Sequence, residues 1–159
     1  MHVSARTDYA VRALVELAAA GRQPLKRERV AAAQDIPINF LGNILQELKN
    51  AGLVQTHRGS EGGYWLALPP EQITLADVIR AVDGPLANVR GERPELVSYV
   101  GSAEPLREVW IAVRASLRSV LEQVTLADVA GNRLPQIVTD LVADPRLGAP
   151  SRGPLGGNH

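Results

Sequence analysis

Asn39, Gly42, Asn43, Gln46 and Lys49 fall at spacings of three and four residues, which puts them along one face of a helix. Their side chains suit base edges. Asn and Gln amides donate and accept together toward adenine in a major groove, and Lys reaches guanine or a phosphate. Gly42 offers close approach rather than readout, and Glu47 could accept from cytosine or simply face solvent. A second group lies just downstream: Arg58, Gly59, Ser60, Glu61, Gly62 and Gly63. Its glycines let the backbone turn sharply and approach another surface. Arg58 adds a cation able to neutralise a phosphate, and Glu61 limits how tightly such a tip can bind. Any amphipathic helix has a polar face and many hairpins have an exposed glycine-rich tip. The two in this order point to a DNA duplex.

The apolar pattern predicts the elements that must hold these residues. Ser4 caps a helix over Ala5 to Ala20, in which Ala10, Leu14, Leu17 and Ala18 recur at helical spacing. Leu25 to Ala33 forms a second short helix, with Leu25, Val30 and Ala33 inward. After a turn at Asp35-Ile36-Pro37, Ile38 to Asn50 forms a third, with Phe40, Leu41, Ile44, Leu45 and Leu48 as its buried stripe. Gly52 ends it, and Leu53 to His57 and Tyr64 to Leu68 are the two strands of a hairpin. Three short helices followed by a hairpin make a winged helix-turn-helix pattern. Arg6, Lys26 and Arg27 at helix starts and Arg58 at the hairpin tip are then the candidate phosphate contacts. Ser4 and Tyr9 could add hydroxyl contacts, although Tyr9 also suits the core.

Beyond Pro69-Pro70, Thr74 caps a helix over Leu75 to Val82 that stops at Asp83-Gly84-Pro85. Residues 86–104 are irregular. Pro105 opens the longest helix, to Val124, on which Leu106, Val109, Trp110, Val113, Leu117, Val120, Leu121 and Val124 make one continuous apolar stripe. The pentad TLADV at 74–78 returns at 125–129, as two similar helix starts rather than a repeat architecture. Pro135 to Ala143 is a further short helix. The expected fold class is mainly α with a small β-hairpin: a winged helix-turn-helix domain over 1–84, a loop over 85–104, a dimerisation helix with short C-terminal helices over 105–143, and a disordered tail over 144–159.

The chain has 159 residues, 45% of them hydrophobic, enough for a packed core. It has no apolar run of spanning length and no charged-then-apolar leader, so a cytoplasmic protein is expected. It has no cysteine, which excludes disulfides, thiolate chemistry and cysteine-ligated clusters. Net charge is zero. Residues 1–68 carry eight Lys/Arg and six Asp/Glu, a balance of +2, whereas 69–147 carry eight and eleven, a balance of −3. Any grip on DNA must therefore come from a local patch.

The stretches VSARTDYAVRALVELA, IPINFLGNILQELKNAGLVQTHRGSEGGYWLAL and ITLADVIRAVDGPL occur here in one order. In that combination the chain resembles the Rrf-two family of bacterial transcription regulators (IscR/NsrR/CymR-type), over roughly residues 1–124. The resemblance implies a winged-helix DNA-binding domain, a homodimer crossed through the long helix, and a double-stranded DNA operator of approximate two-fold symmetry. It also implies DNA-facing positions at Asn39, Phe40, Gly42 and Asn43 on the helix, and at Arg58, Gly59 and Glu61, Gly62 and Gly63 on the wing. Many members hold an iron–sulfur cluster with three cysteines between the DGPL segment and the long helix. Here that interval, ANVRGERPELVSYVGSAEP, contains none.

The expectation is a dimeric, sequence-specific DNA-binding regulator, a repressor, with no cofactor. A winged-helix protein-interaction module that has lost DNA binding is the alternative. No phosphate-loop, nucleophile-elbow or His-carboxylate pattern points to an enzyme. The 86–104 loop and the long helix could enclose an effector, with Tyr99 and Trp110 as walls and Arg90 or Arg93 as an anion anchor. The alternative for Trp110 is dimer core.

Overall fold

A computed structural model describes residues 1–60 and 62–148. Helix α1 (Ala5–Ala19) starts at Ser4, whose Oγ accepts from the Thr7 N–H, and it buries Ala10, Ala13, Leu14 and Leu17. Helix α2 (Arg27–Gln34) begins two residues later than the apolar pattern predicts. The cause is Leu25, whose backbone exchanges hydrogen bonds of 2.9 and 2.8 Å with Tyr64 and so stays extended. The inward residues of α2 are Val30 and Ala31; Ala33 faces solvent. Asp35 then takes a left-handed conformation (φ 51°), which turns the chain so that the Ile36 N–H reaches the Ala31 carbonyl at 2.9 Å.

Helix α3 (Ile38–Asn50) buries Leu41, Ile44, Leu45 and Leu48. Phe40 does not belong to that stripe: it is 62% exposed. The four buried residues already fill the inward arc, and Phe40 is turned toward the side of α3 that faces α1. Strands β1 (Val54–His57) and β2 (Gly63–Leu66) pair antiparallel, with Val54 opposite Leu66 and His57 opposite Gly63.

Helix α4 (Leu75–Asp83) and the short helix α6 (Leu126–Ala130) both open with a capping box, Thr74 with Asp77 and Thr125 with Asp128. These are the two TLADV segments, and they lie against each other. The Leu75 N–H donates to the Val124 carbonyl and the Leu126 N–H to the Ile73 carbonyl, both at 2.9 Å. Leu126 is fully buried in the core that holds Leu14, Leu45 and Val78. Between them runs α5 (Leu106–Leu121), which stops short of Val124 because the chain must straighten to enter this bridge. Helices α7 (Gln136–Ala143) and α8 (Pro145–Gly148) follow, so residues 145–148 of the expected tail are a helical turn. The remainder, 149–159, lies outside the described residues, as does Glu61. Among the described residues no helix is long and apolar enough to cross a membrane.

Charge ties α5 to α4. Glu122 accepts from Arg118 Nε at 2.9 Å and pairs with Arg80 of α4. The Arg118 hydrogen bond, then that of Arg80, hold the Glu122 carboxyl below the usual carboxylate range. A carboxyl lowered on folding stabilises the fold above the unfolded value of about 4.3 and loses that contribution as pH falls through the folded value. Glu122→Gln is therefore expected to melt slightly earlier than the parent at neutral pH. The two melting temperatures should converge in acid; parallel curves across the titration would rule the ion pair out as the source.

Candidate nucleic-acid interface

Helix α3 presents Asn39, Asn43, Gln46 and Lys49 to solvent along one face. The Gln46 amide donates to Asn50 Oδ1 at 3.0 Å, which leaves its own carbonyl oxygen free to accept. Gly42, in the middle of this row, is half-buried and lies beneath the guanidinium of Arg27. Beside the row, α1 and α3 frame a groove of about 690 Å³ walled by Tyr9, Phe40, Asn43 and Gln46. Arg6 and Glu47 form an ion pair at this groove. Any anion approaching Arg6 would compete with Glu47, whose carboxylate is held by Arg6 at the solvent-facing edge of the groove.

The wing is fastened to the start of α2. Lys26 Nζ donates to the Gly59 carbonyl at 2.7 Å, and the Leu25–Tyr64 bridge lies just behind it. Lys26, Arg27 and the tip of the hairpin are thereby held together next to α3. Arg58 and Gly59 are exposed at the tip, and Gly59 has φ 112°, which suits glycine. Gly62 and Gly63 are buried, so they are not surface positions for DNA. A Cβ at Gly62 would lie 2.2 Å from the His57 carbonyl oxygen, and one at Gly63 would lie 2.8 Å from that of Leu25. These glycines close the turn and let the wing approach α2.

Ser4 has its hydroxyl engaged within the protein. Besides capping α1, its Oγ donates to Asp83 Oδ2 at 3.0 Å, and the buried Thr7 hydroxyl donates to the same oxygen. Asp83 thus fastens the start of α1 to the end of α4. Its sequence context, Asp-Gly-Pro, signals only a helix stop, and nothing local couples it to residues 4 and 7.

Helix α5 buries none of its residues. Leu106, Val109, Trp110 and Val113 are 39%, 48%, 36% and 42% exposed; Leu117, Val120 and Leu121 are half-buried. Val124 differs from the rest of the expected stripe: it lies past the helix end and is buried within its own chain. A cavity of about 350 Å³ opens beside Trp110, between α5, the end of α4 and the loop that follows it. Of the four residues proposed around an effector only Trp110 lines it. Tyr99 accepts a 2.9 Å hydrogen bond from Trp110 Nε1 outside the cavity and has Arg90 stacked on its ring. Arg93 lines a separate cleft with Arg80 and Arg114.

The sequence pattern of the Rrf2 family, described as “Iron-dependent Transcriptional regulator”, matches residues 3–132. The chain belongs to the Rrf2 family. A Mycobacterium tuberculosis protein named as an HTH-type transcriptional regulator is 52% identical over 147 residues, covering 92% of this chain and 91% of that protein. The HTH-type transcriptional regulator CymR of Bacillus subtilis is 34% identical over 132 residues, 82% of this chain and 90% of CymR. The solved structure of B. subtilis CymR, described as the global cysteine regulator, has a TM-score of 0.71 at 32% identity and covers 83% of this chain and 98% of that one. The IscR of T. potens has a TM-score of 0.68, also at 32% identity, over 83% and 88%. This Rrf2 protein is accordingly a winged helix-turn-helix, DNA-binding transcriptional regulator and not an enzyme.

The iron in the family's description does not fit the residues present. The chain offers no thiolate, and among the described residues no group of three or more His, Asp or Glu side chains gathers closely enough to hold a metal ion.

Proposed function

We propose that this Rrf2 protein is a cytoplasmic homodimeric repressor that recognises a double-stranded DNA operator of approximate two-fold symmetry without an iron–sulfur cluster. Helix α3 enters the major groove with Asn39, Phe40, Asn43, Gln46 and Lys49, while Arg58 and Gly59 grip the backbone alongside. The observation that carries this reading is the fastening of the wing to α2 through Lys26 and Gly59, because it holds the cations and the polar face of α3 together. The dimer is supported by the uncovered apolar stripe of α5. An amphipathic helix of this length draws most of its stability from packing that stripe, and a second copy supplies the partner surface. The two α3 helices then lie about 34 Å apart, one turn of DNA. In this organisation 1–84 reads DNA, with α6 returning to its core, 85–104 stands in the sensor position, and α5 pairs the protomers.

Binding to promoter fragments around its own gene, measured across a salt series, tests the reading. Sequence-preferring, salt-sensitive binding is expected, and its complete absence would sink it. Arg58→Ala should weaken binding to all sequences similarly and reduce the salt slope by about one. An unchanged slope would instead favour a protein-interaction role for the wing.

A further inference from the structure

Gly42 occupies the centre of the outward row of α3, one turn after Asn39 and one turn before Gln46, and it brings no side chain of its own. The place above it is filled from another helix. A Cβ at Gly42 would lie 3.0 Å from a terminal guanidinium nitrogen of Arg27 and 3.8 Å from its Cδ. The Arg27 side chain therefore crosses from the first turn of α2 onto the face of α3. It is not withdrawn from solvent, with 44% of its surface exposed, and its contact with Glu28 at 3.8 Å is too long for a hydrogen bond. Its neighbour Lys26 is held on the wing, so the two adjacent cations diverge, one to the hairpin and one to the helix.

We propose that Arg27 is a specificity residue: it reads a guanine in the major groove, taking from α2 the central readout position that Gly42 leaves open on α3. This rests on the DNA-binding reading above and adds a base to it. The guanidinium fork matches the O6 and N7 acceptors of guanine, and its place over the middle of α3 puts it among residues aimed at base edges. A phosphate contact would call only for a cation at the rim of the interface. Glycine at position 42 leaves the guanidinium its place, because even a Cβ there would press on it at 3.0 Å.

The test is enrichment of duplexes from a randomised pool by the full-length protein, its Arg27→Ala variant and its Gly42→Ala variant. The wild type is expected to select a G·C pair at one position of each half-site. Arg27→Ala should lose that selection, with discrimination there falling about tenfold or more, while preference elsewhere in the half-site is retained. Gly42→Ala should relax the same base pair, since its Cβ displaces the tip of a flexible side chain while alanine favours the helix. Uniform weakening of all sequences by Arg27→Ala, or an unchanged motif in both variants, would overturn the guanine role and leave the regulator standing. A wild type that enriches nothing would overturn the DNA-binding reading, and this inference with it.

Discussion

A Val109→Asp, Val113→Asp double variant is expected to sediment as a monomer and to bind a full operator at least about a hundredfold more weakly than the wild type. Both side chains lie on the stripe of α5 that the protomer leaves uncovered, at 48% and 42% exposure. Covering an aliphatic side chain contributes about 1.5–3 kcal/mol, and a carboxylate at the same place must either lose its water or keep the surfaces apart. The free protomer should tolerate the change, because these positions already meet solvent. The loss on DNA comes from avidity: with two linked reading heads, the second contact is intramolecular. Sedimentation equilibrium, with binding to full and half operators, separates the effects. Half-operator affinity should stay near that of wild type. A variant that remains dimeric, or a wild type that is itself monomeric, would remove α5 as the dimer interface.

Gly62→Ala is expected to cost about 1–3 kcal/mol of stability and to weaken operator binding more than Arg58→Ala does. The added methyl would meet backbone on every side: the His57 oxygen at 2.2 Å, the His57 carbonyl carbon at 2.9 Å and the Arg58 carbonyl carbon at 3.0 Å. No side chain can rotate away to relieve this, so the turn itself must open. The Gly62 N–H bond to the Gly59 carbonyl, 3.1 Å, would go with it. That carbonyl also receives Lys26, so the deformation reaches the start of α2. Calorimetry paired with a salt series on the operator should show an earlier melt together with a reduced slope. A variant that melts and binds like wild type would show that the tip tolerates the methyl and that the wing is not rigidly set.

Much of the protein follows from local rules. Ser4, Thr74 and Thr125 cap helices because each offers an oxygen to an otherwise unpaired N–H three residues on, a relation confined to one turn. The polar row of α3 and the stripe of α5 follow from helical periodicity, and the order of three helices and a hairpin follows from the breakers between them. Packing overrides these rules at three places. Leu25 suits a helix by its spacing but is held extended by Tyr64, across the whole of α2, α3 and β1. Phe40 belongs to the buried stripe by residue type, yet four other residues already fill the inward arc of α3. Val124 continues the spacing of the long helix, but its carbonyl is taken by Leu75.

Local pattern set the main helices, the caps at Ser4, Thr74 and Thr125, the apolar stripe of α5, and the lack of any cysteine for a cluster. Each of these depends on residues within a turn or two of one another. Which polar side chains stay available depends on how the elements pack. Packing engaged Ser4 with Asp83, paired Arg6 with Glu47, buried Gly62 and Gly63 within the wing where it meets α2, and laid Arg27 over Gly42. These partners are far apart along the chain or depend on how two elements approach. Local propensity carries no signal for them; packing and charge pairing settle them when the core closes.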